Sequence, residues 1–366
     1  MSDLAAPHIL ALTAYEPGKP EEELKRELGL DDVVKLASNE NPYGPSPNAI
    51  EAVSGASLSL QRYPDPRGHD LRHALAAHHG IPPDELFLGN GSNELIDLIS
   101  RVVASRGDHA VFGHPSFPCY RIASVAQELR FTAVPLRDHL GWNVDDLLEA
   151  VTPETKLLFV SNPNNPTGSY IARHDLERLL RALPERVLAV IDEAYFEYVE
   201  AGDFAPATEL RDTRDRLAIL RTFSKAYGLA ALRVGYAIGT PELVATLNRL
   251  RAPFNVGTPG LVAAQAALAD DAHLRASVTA TVRDRGKLTH DLETAGHRVA
   301  PSQANFVLVD VGRPGRAVYE ALLQEGVIVR AMASPLESWI RVTVGKPEEN
   351  ARFLHSLERV LRDSRV

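Results

Sequence analysis

Lys225 stands between two short apolar runs, residues 217–220 and 234–238. Both runs read as buried strands, which puts the lysine at the mouth of an apolar core. An ammonium group there is costly unless it is neutralised or bonded. Condensation with an aldehyde to form an imine removes the charge and gives the amine a covalent role. Ser224 directly before it and Arg233 further along supply a hydroxyl and a guanidinium. Both groups are common donors to a phosphate.

Three more polar clusters follow apolar runs in the same manner. Ser-Asn-Pro-Asn-Asn-Pro-Thr-Gly168 comes after residues 157–160, and its asparagines and prolines make a rigid polar loop. Asn165 in that loop could give its amide to a ring oxygen, or the cluster could do no more than shape the turn. Asp-Glu-Ala-Tyr195 follows the run 187–191. Asp192 can stay ionised beside a cation such as a protonated ring nitrogen, and Tyr195 offers a phenol to the same ligand. The alternative is an ordinary carboxylate bonded to loop amides. Gly-Asn-Gly-Ser-Asn-Glu94 lies between a strand at 85–88 and a helix at 93–104. Amides at a helix N-terminus favour a phosphate, and the glycines allow close approach. Glu94 occupies the place of the third glycine of a dinucleotide fingerprint, so that motif is absent.

One ligand accounts for all four clusters. A phosphorylated aromatic aldehyde would place its phosphate on Gly91, Ser92, Asn93, Ser224 and Arg233. Its ring nitrogen would meet Asp192, its ring oxygen Asn165 and Tyr195, and its carbonyl Lys225. That description fits pyridoxal 5'-phosphate, an electron sink for carbanions at an amino-acid Cα.

The elements that must position these residues follow from the periodicity. Residues 1–45 are rich in proline, glycine and polar side chains, with one short helical pattern at 20–28, and read as an arm. Residues 46–255 alternate helix and strand. Helices are expected at 47–57, 69–79 and 93–104, and strands at 85–88, 110–112, 130–134, 157–160, 187–191, 217–220 and 234–238. Continuous apolar runs such as Val-Leu-Ala-Val-Ile191 suit strands covered on both faces of a mostly parallel sheet. Residues 256–366 read as a smaller α+β unit, with long helical stretches over 258–295. Strands then follow at 306–309, 327–329 and 340–344, and helices at 315–325 and 347–361. The expected fold is α/β: a large domain built on a mostly parallel sheet flanked by helices, plus the C-terminal α+β domain. A ligand in such a fold sits at the carboxyl ends of the strands, near the domain interface.

Composition narrows the function further. The chain of 366 residues has 45% hydrophobic and 24% charged residues, ordinary globular values. A net charge of -9 argues against a nucleic-acid partner, while a few local arginines could still hold an anionic substrate. The single cysteine, Cys119, excludes an intrachain disulfide and fits a reducing cytoplasm. It reads as a buried structural thiol rather than a nucleophile. No signal peptide and no membrane span are expected. His69, His73, His78 and His79 cluster on one helix without an acidic third ligand, and read as a surface helix face rather than a metal site.

The order and spacing of the motifs resemble those of fold-type I pyridoxal-phosphate aminotransferases, and within them the histidinol-phosphate aminotransferases. The likeness runs through Tyr-Glu-Pro-Gly-Lys-Pro20, Lys-Leu-Ala-Ser-Asn-Glu-Asn-Pro-Tyr-Gly-Pro45, Arg-Tyr-Pro-Asp65 and the four clusters above. It continues through Ser-Gln-Ala-Asn-Phe306, Gly-Val-Ile-Val-Arg330 and Ile-Arg-Val-Thr-Val-Gly345. The resemblance implies that Lys225 binds the cofactor as an imine and then shuttles a proton. It implies that Asp192 keeps the pyridine nitrogen protonated, that Asn165 and Tyr195 bond the ring oxygen, and that Phe117 stacks on the ring, although Phe117 also reads as a plain core aromatic. Tyr63 would reach the partner's cofactor phosphate in a homodimer with shared sites. Arg341 would bind the substrate carboxylate and meet the phosphate of histidinol phosphate, with Arg330, Tyr15 and Asn41 as further substrate contacts. For Arg330 the alternative is a surface ion pair. Ala231 departs from the pattern, which usually has glycine there, and its methyl could press on the backbone near the phosphate.

The expected activity is transfer of an amino group between L-histidinol phosphate and 2-oxoglutarate, by a ping-pong mechanism, in histidine biosynthesis. An aromatic amino-acid aminotransferase would share every cofactor residue. A threonine-phosphate decarboxylase would share the lysine and a phosphorylated amino substrate. A transcriptional regulator would need an attached DNA-binding segment, for which the arm is too short and too rich in proline.

Overall fold

The structure is a computed structural model that describes residues 4–14, 18–56 and 60–362. After β1 (Val34–Lys35), seven strands build the main sheet: β2 (Leu86–Gly89), β3 (His109–His114), β4 (Arg130–Pro135), β5 (Thr155–Ser161), β6 (Leu188–Asp192), β7 (Leu217–Thr222) and β8 (Gly235–Ile238). Their order across the sheet is β2-β8-β7-β6-β5-β3-β4. All neighbours run parallel except β8, which is antiparallel to both β2 and β7.

The apolar runs explain why this sheet is buried on both sides. Successive side chains of a strand point to opposite faces. Leu158 and Val160 of β5, Ala189 and Ile191 of β6 and Ile219 of β7 join one core. Leu157, Phe159, Leu188, Val190, Ala218 and Leu220 join the other. The first core is closed by leucines of the helices His69–His79, Arg173–Ala182 and Thr258–Ala269. The second is closed by Gly91–Val103, Pro118–Ala126 and Pro241–Leu250. Of these six, the sequence patterning picks out three.

The C-terminal unit contains β9 (Arg298–Ala300), β10 (Phe306–Asp310), β11 (Val327–Ile328), β12 (Arg330–Ala331) and β13 (Trp339–Thr343). Four of these form an antiparallel sheet in the order β12-β13-β10-β9. Helices Asp271–Thr294, Gly315–Gln324 and Pro347–Arg362 cover it with Leu288, Val318, Leu322, Phe353 and Leu357. The expected strand 327–329 is split: β11 leaves this sheet to pair in parallel with β1.

Three boundaries differ from the sequence pattern. The helix Thr258–Ala269 packs Leu261, Ala263, Ala264 and Ala267 into the core of the main sheet, so the change of core falls after Ala269 rather than at residue 255. Val34 and Leu36, placed in the arm, belong to the core of the C-terminal unit. The helix expected at 93–104 starts two residues earlier, at Gly91, because Glu94 accepts the Asn90 N–H (2.6 Å) and closes the first turn.

Candidate active site

The parallel strands deliver their carboxyl ends to one edge of the main sheet. β5, β6 and β7 stop at Ser161, Asp192 and Thr222, and the antiparallel β8 starts beside them at Gly235. A cavity of about 180 Å³ opens there. Of the residues singled out in the sequence, its wall holds Ser92, Asn93, Phe117, Asn165, Asp192, Tyr195, Ser224, Lys225, Arg233, Arg330 and Arg341. The four clusters and the two C-terminal arginines therefore meet in one place.

Lys225 follows β7 and points its Nζ at the Ser38 carbonyl, 3.0 Å away. Burial lowers its pKa to about 8, and the nearby cations of Arg341 and Arg233 push the same way against Glu40 and Asp192. A neutral amine is thus accessible near neutral pH. Asp192 is buried, and its Oδ2 accepts the Tyr120 hydroxyl at 2.9 Å. Its Oδ1 is also buried and has no hydrogen-bond partner. Burial raises the Asp192 pKa to about 6, while the Tyr120 hydroxyl and the Ala194 N–H hold it down. A buried carboxylate oxygen without a donor is an open position for one. Directly behind it, Glu193 Oε2 accepts from Arg221 Nε (3.0 Å) and Nη2 (2.8 Å), which ties the ends of β6 and β7 together.

At the other end of the cavity, Arg233 Nη1 donates to Ser224 Oγ at 3.2 Å and to the Ala230 carbonyl at 3.0 Å. Gly91, at φ +72°, lies against this guanidinium; a Cβ there would overlap Arg233 Nη2 and come within 3.1 Å of Cζ. Glycine is required both by the positive φ and by the close approach. The first turn of Gly91–Val103 adds amides that have no intrahelical partner. Ser224, Arg233 and that turn form a cradle suited to a phosphate. Ala231 is exposed and is not among the residues of positive φ, so its methyl group strains nothing here.

The substrate side comes from the small sheet. Arg330 of β12 lies opposite Arg341 of β13 in antiparallel register, which puts both side chains on one face. Arg341 donates from Nη1 to Asn165 Oδ1 (2.5 Å) and from Nη2 to the Ala37 carbonyl (2.7 Å). With its oxygen engaged, Asn165 presents its amide NH₂ as the donor side. Both arginines also line an adjoining chamber of about 460 Å³, together with His114, Tyr319 and Met332.

Not every expected residue arrives. Asn41 is buried outside the cavity wall: its Nδ2 donates to the Ala226 carbonyl (2.8 Å) and to Ser277 Oγ (3.4 Å), and its Oδ1 accepts the Tyr43 N–H. It braces the segment that carries Lys225, which corrects its assignment as a substrate contact. Tyr63 is 81% exposed and stacks on Phe254 with 4.6 Å between ring centroids, away from this chain's cavity. Tyr15 lies outside the described residues. Conversely, sequence reasoning missed Asn39, Ser38 and Tyr120. Asn39 is buried at φ +55° and donates from Nδ2 to Tyr195 Oη at 3.0 Å. An asparagine held in the left-handed region is a signal, but it becomes visible only in three dimensions.

The histidine helix divides. His69, His73 and His78 are exposed, whereas His79 turns inward to Tyr236 Oη at 2.9 Å, where burial lowers its pKa to about 3. Among the described residues no His, Cys, Asp or Glu group could hold a metal ion. Burial pushes the Cys119 thiol up to about 12, which suits packing rather than nucleophilic attack.

The comparisons with known proteins agree with this geometry. Residues 31–357 match the family of class I and II aminotransferases. Histidinol-phosphate aminotransferase of Anaeromyxobacter sp. is 43% identical over 98% of this chain and 99% of its own length. Histidinol-phosphate aminotransferase 1 of Nitrosococcus oceani is 45% identical over 99% of this chain and 98% of its own. The crystal structure of histidinol-phosphate aminotransferase from Sinorhizobium meliloti in complex with pyridoxal-5'-phosphate superposes with a TM-score of 0.89 at 31% identity, covering 98% of both chains. A fold-type I sheet whose strand ends gather a lysine, an aspartate and a phosphate cradle, matched over almost its whole length at this identity, places the chain in the class I and II aminotransferase family, among the histidinol-phosphate aminotransferases.

Proposed function

We propose that this chain is a pyridoxal-phosphate-dependent aminotransferase that moves an amino group between L-histidinol phosphate and 2-oxoglutarate, a step of histidine biosynthesis. The observation that carries the reading is the single cavity in which Lys225 and Asp192 from the main sheet face Arg330 and Arg341 from the small one. The residues present fit the cofactor. Asp192 Oδ1 is an acceptor without a donor, suited to a pyridinium N–H. The Gly91–Arg233–Ser224 cradle has the charge and backbone clearance that a phosphate needs.

Bound pyridoxal phosphate supplies an electron sink for the electrons left when a proton departs from the substrate Cα. The Lys225 Nζ, neutral in part near pH 8, would be the nucleophile toward the aldehyde and afterwards the carrier of the Cα proton. Asp192 would hold the ring nitrogen in its cationic form. Asn165 and Tyr195 would meet the ring oxygen from the donor side, with Asn39 fixing the Tyr195 phenol. Phe117, half-buried in the cavity wall, would pack against the ring face. Arg330 and Arg341 suit a phosphate dianion and, in the second half of a ping-pong cycle, the distal carboxylate of glutamate.

The working unit proposed is a homodimer. The exposed Tyr63–Phe254 pair supports it, since Tyr63 lies outside its own chain's cavity and is open to a second copy. The proposed location is the cytoplasm; among the described residues no helix is long and apolar enough to cross a membrane.

The test is a set of half-reactions. Protein loaded with pyridoxal phosphate is mixed separately with histidinol phosphate, phenylalanine and threonine phosphate, and the cofactor absorbance is followed. Fast conversion to the pyridoxamine form by histidinol phosphate alone is expected. Faster conversion by phenylalanine would overturn the substrate assignment in favour of an aromatic aminotransferase, and release of carbon dioxide from threonine phosphate would move it to a decarboxylase.

A further inference from the structure

Tyr120 lies outside the four clusters, yet it makes the hydrogen bond from the second core to the cavity's carboxylate. It is fully buried on the helix Pro118–Ala126. Its ring stacks on Phe159 of β5, with centroids 5.0 Å apart and planes 10° from parallel, and meets Phe117 edge-on at 5.8 Å. Such packing on two sides leaves the phenol one direction, and along it the hydroxyl donates to Asp192 Oδ2 at 2.9 Å. The same ring thus touches both the residue that packs against the cofactor ring face and the residue that meets its nitrogen.

Resting on the functional reading above, we propose that Tyr120 is a positioning residue: it fixes Asp192 by one carboxylate oxygen and so reserves the other for the ring N–H of bound pyridoxal phosphate. The two oxygens have different situations, one donated to and the other buried without a donor, which is the asymmetry this role requires. A hydrogen bond to the charged form also favours ionisation. Burial alone drives Asp192 toward the neutral acid, which cannot pair with a pyridinium cation. The other groups facing this carboxylate act around that bond. Cys119 comes from the same helix, Glu193 and the Ala194 N–H from the next two positions, and Lys225 from the loop after β7, while Ser161 at the end of β5 bonds the Tyr120 hydroxyl. Of these only Lys225 can carry positive charge, and its nitrogen is the group that reacts with the aldehyde. Beside the backbone Ala194 N–H, the fixed side-chain donor is therefore the hydroxyl.

Tyr120→Phe keeps the stacked ring and removes the O–H. The Kd for pyridoxal phosphate is measured by absorbance titration between pH 5 and 9, with kcat, KM and thermal unfolding alongside. The expected result is cofactor binding weaker by roughly tenfold at neutral pH. The loss of binding on acidification should begin at a higher pH, because Asp192 without its donor takes up a proton earlier. The kcat should fall while the KM for the amino substrate stays near that of the parent. In an Asp192→Asn background the same change should weaken binding no further, since the phenol acts through the carboxylate. An unchanged Kd and pH profile in a parent-like fold, or a lowered melting temperature alone, would overturn the role of Tyr120 and leave the functional reading standing. Failure of the parent protein to bind pyridoxal phosphate would instead remove that reading and this inference with it.

Discussion

The two walls of the cavity are built in opposite ways. On the main-sheet side, Asp192 and Lys225 stand at or just beyond the carboxyl ends of adjacent parallel strands, and a buried ion pair, Arg221–Glu193, fastens those ends together. On the small-sheet side, Arg330 at the start of β12 and Arg341 in the middle of β13 sit opposite each other on an antiparallel pair, and Arg341 is tied across to the main unit by Asn165. The first wall is preorganised by the packing of one core. The second is set by how two units meet. A cofactor that remains bound through the cycle gains from the rigid wall, where fixed dipoles need no reorganisation. A site that must accept a phosphate in one half-reaction and a carboxylate in the other gains from long side chains that reach in from a second sheet.

The largest test of this contrast is Lys225→Ala. It removes the only lysine amine among the described residues of the cavity wall, so turnover should fall to the background rate, and the absorbance change that accompanies capture of pyridoxal phosphate should vanish. The parent supplies the control through pH. With the Lys225 pKa lowered to about 8, the neutral amine fraction grows as pH rises through that value, so the capture rate should climb with pH and level off above it. A flat profile between pH 6 and 9 would show that the amine is not the titrating group.

A smaller effect is expected at the cradle. Gly91→Val places a branched side chain where the Arg233 guanidinium lies, at a φ of +72° that valine resists. Displacing that guanidinium removes charge-assisted hydrogen bonds to phosphate, and cofactor affinity should fall by roughly thirty- to a hundredfold. Substrate KM, measured with saturating cofactor, should change little. A large rise in KM at saturating cofactor would show that the two walls are not separable.

How far the sequence reveals each wall follows from the same contrast. Lys225, Asp192 and Asn165 are readable because each follows a continuous apolar run, and in a parallel sheet such runs end on one edge. The phosphate cradle is readable from its glycine and its helix. Asn39 and Tyr120 are not. Asn39 reaches the cavity only because Thr343, Asn305 and the rest of the small sheet hold its segment against the main unit, a set of contacts with no local pattern. Tyr120 lies on a helix that the periodicity left unassigned. Asn41, two residues from Asn39, shows the same difficulty in reverse. In the sequence either asparagine could face the ligand, and only the fold turns one toward Tyr195 and the other toward Ala226. The misplaced change of core near residue 255 has a similar origin. The helix Thr258–Ala269 is apolar over much of its surface, so its composition does not say which core it joins.

The smallest and most selective effect is expected at Arg330. Its neighbour Arg341 remains, bonded to Asn165 and the Ala37 carbonyl, so a single anionic group keeps one anchor. Arg330→Leu should therefore lower kcat/KM for histidinol phosphate by roughly tenfold, the scale of one charge-assisted hydrogen bond to a dianion. For glutamate, whose carboxylate carries one charge, the loss should be smaller. Cofactor binding and the pH dependence of capture should be unchanged, because Arg330 belongs to the wall that does not hold the ring. Equal losses for both substrates would mean that Arg330 shapes the chamber rather than reading the charge. Weakened cofactor binding would mean that the small sheet helps to build the rigid wall as well, and the division between the two sides would then lie elsewhere in the cavity.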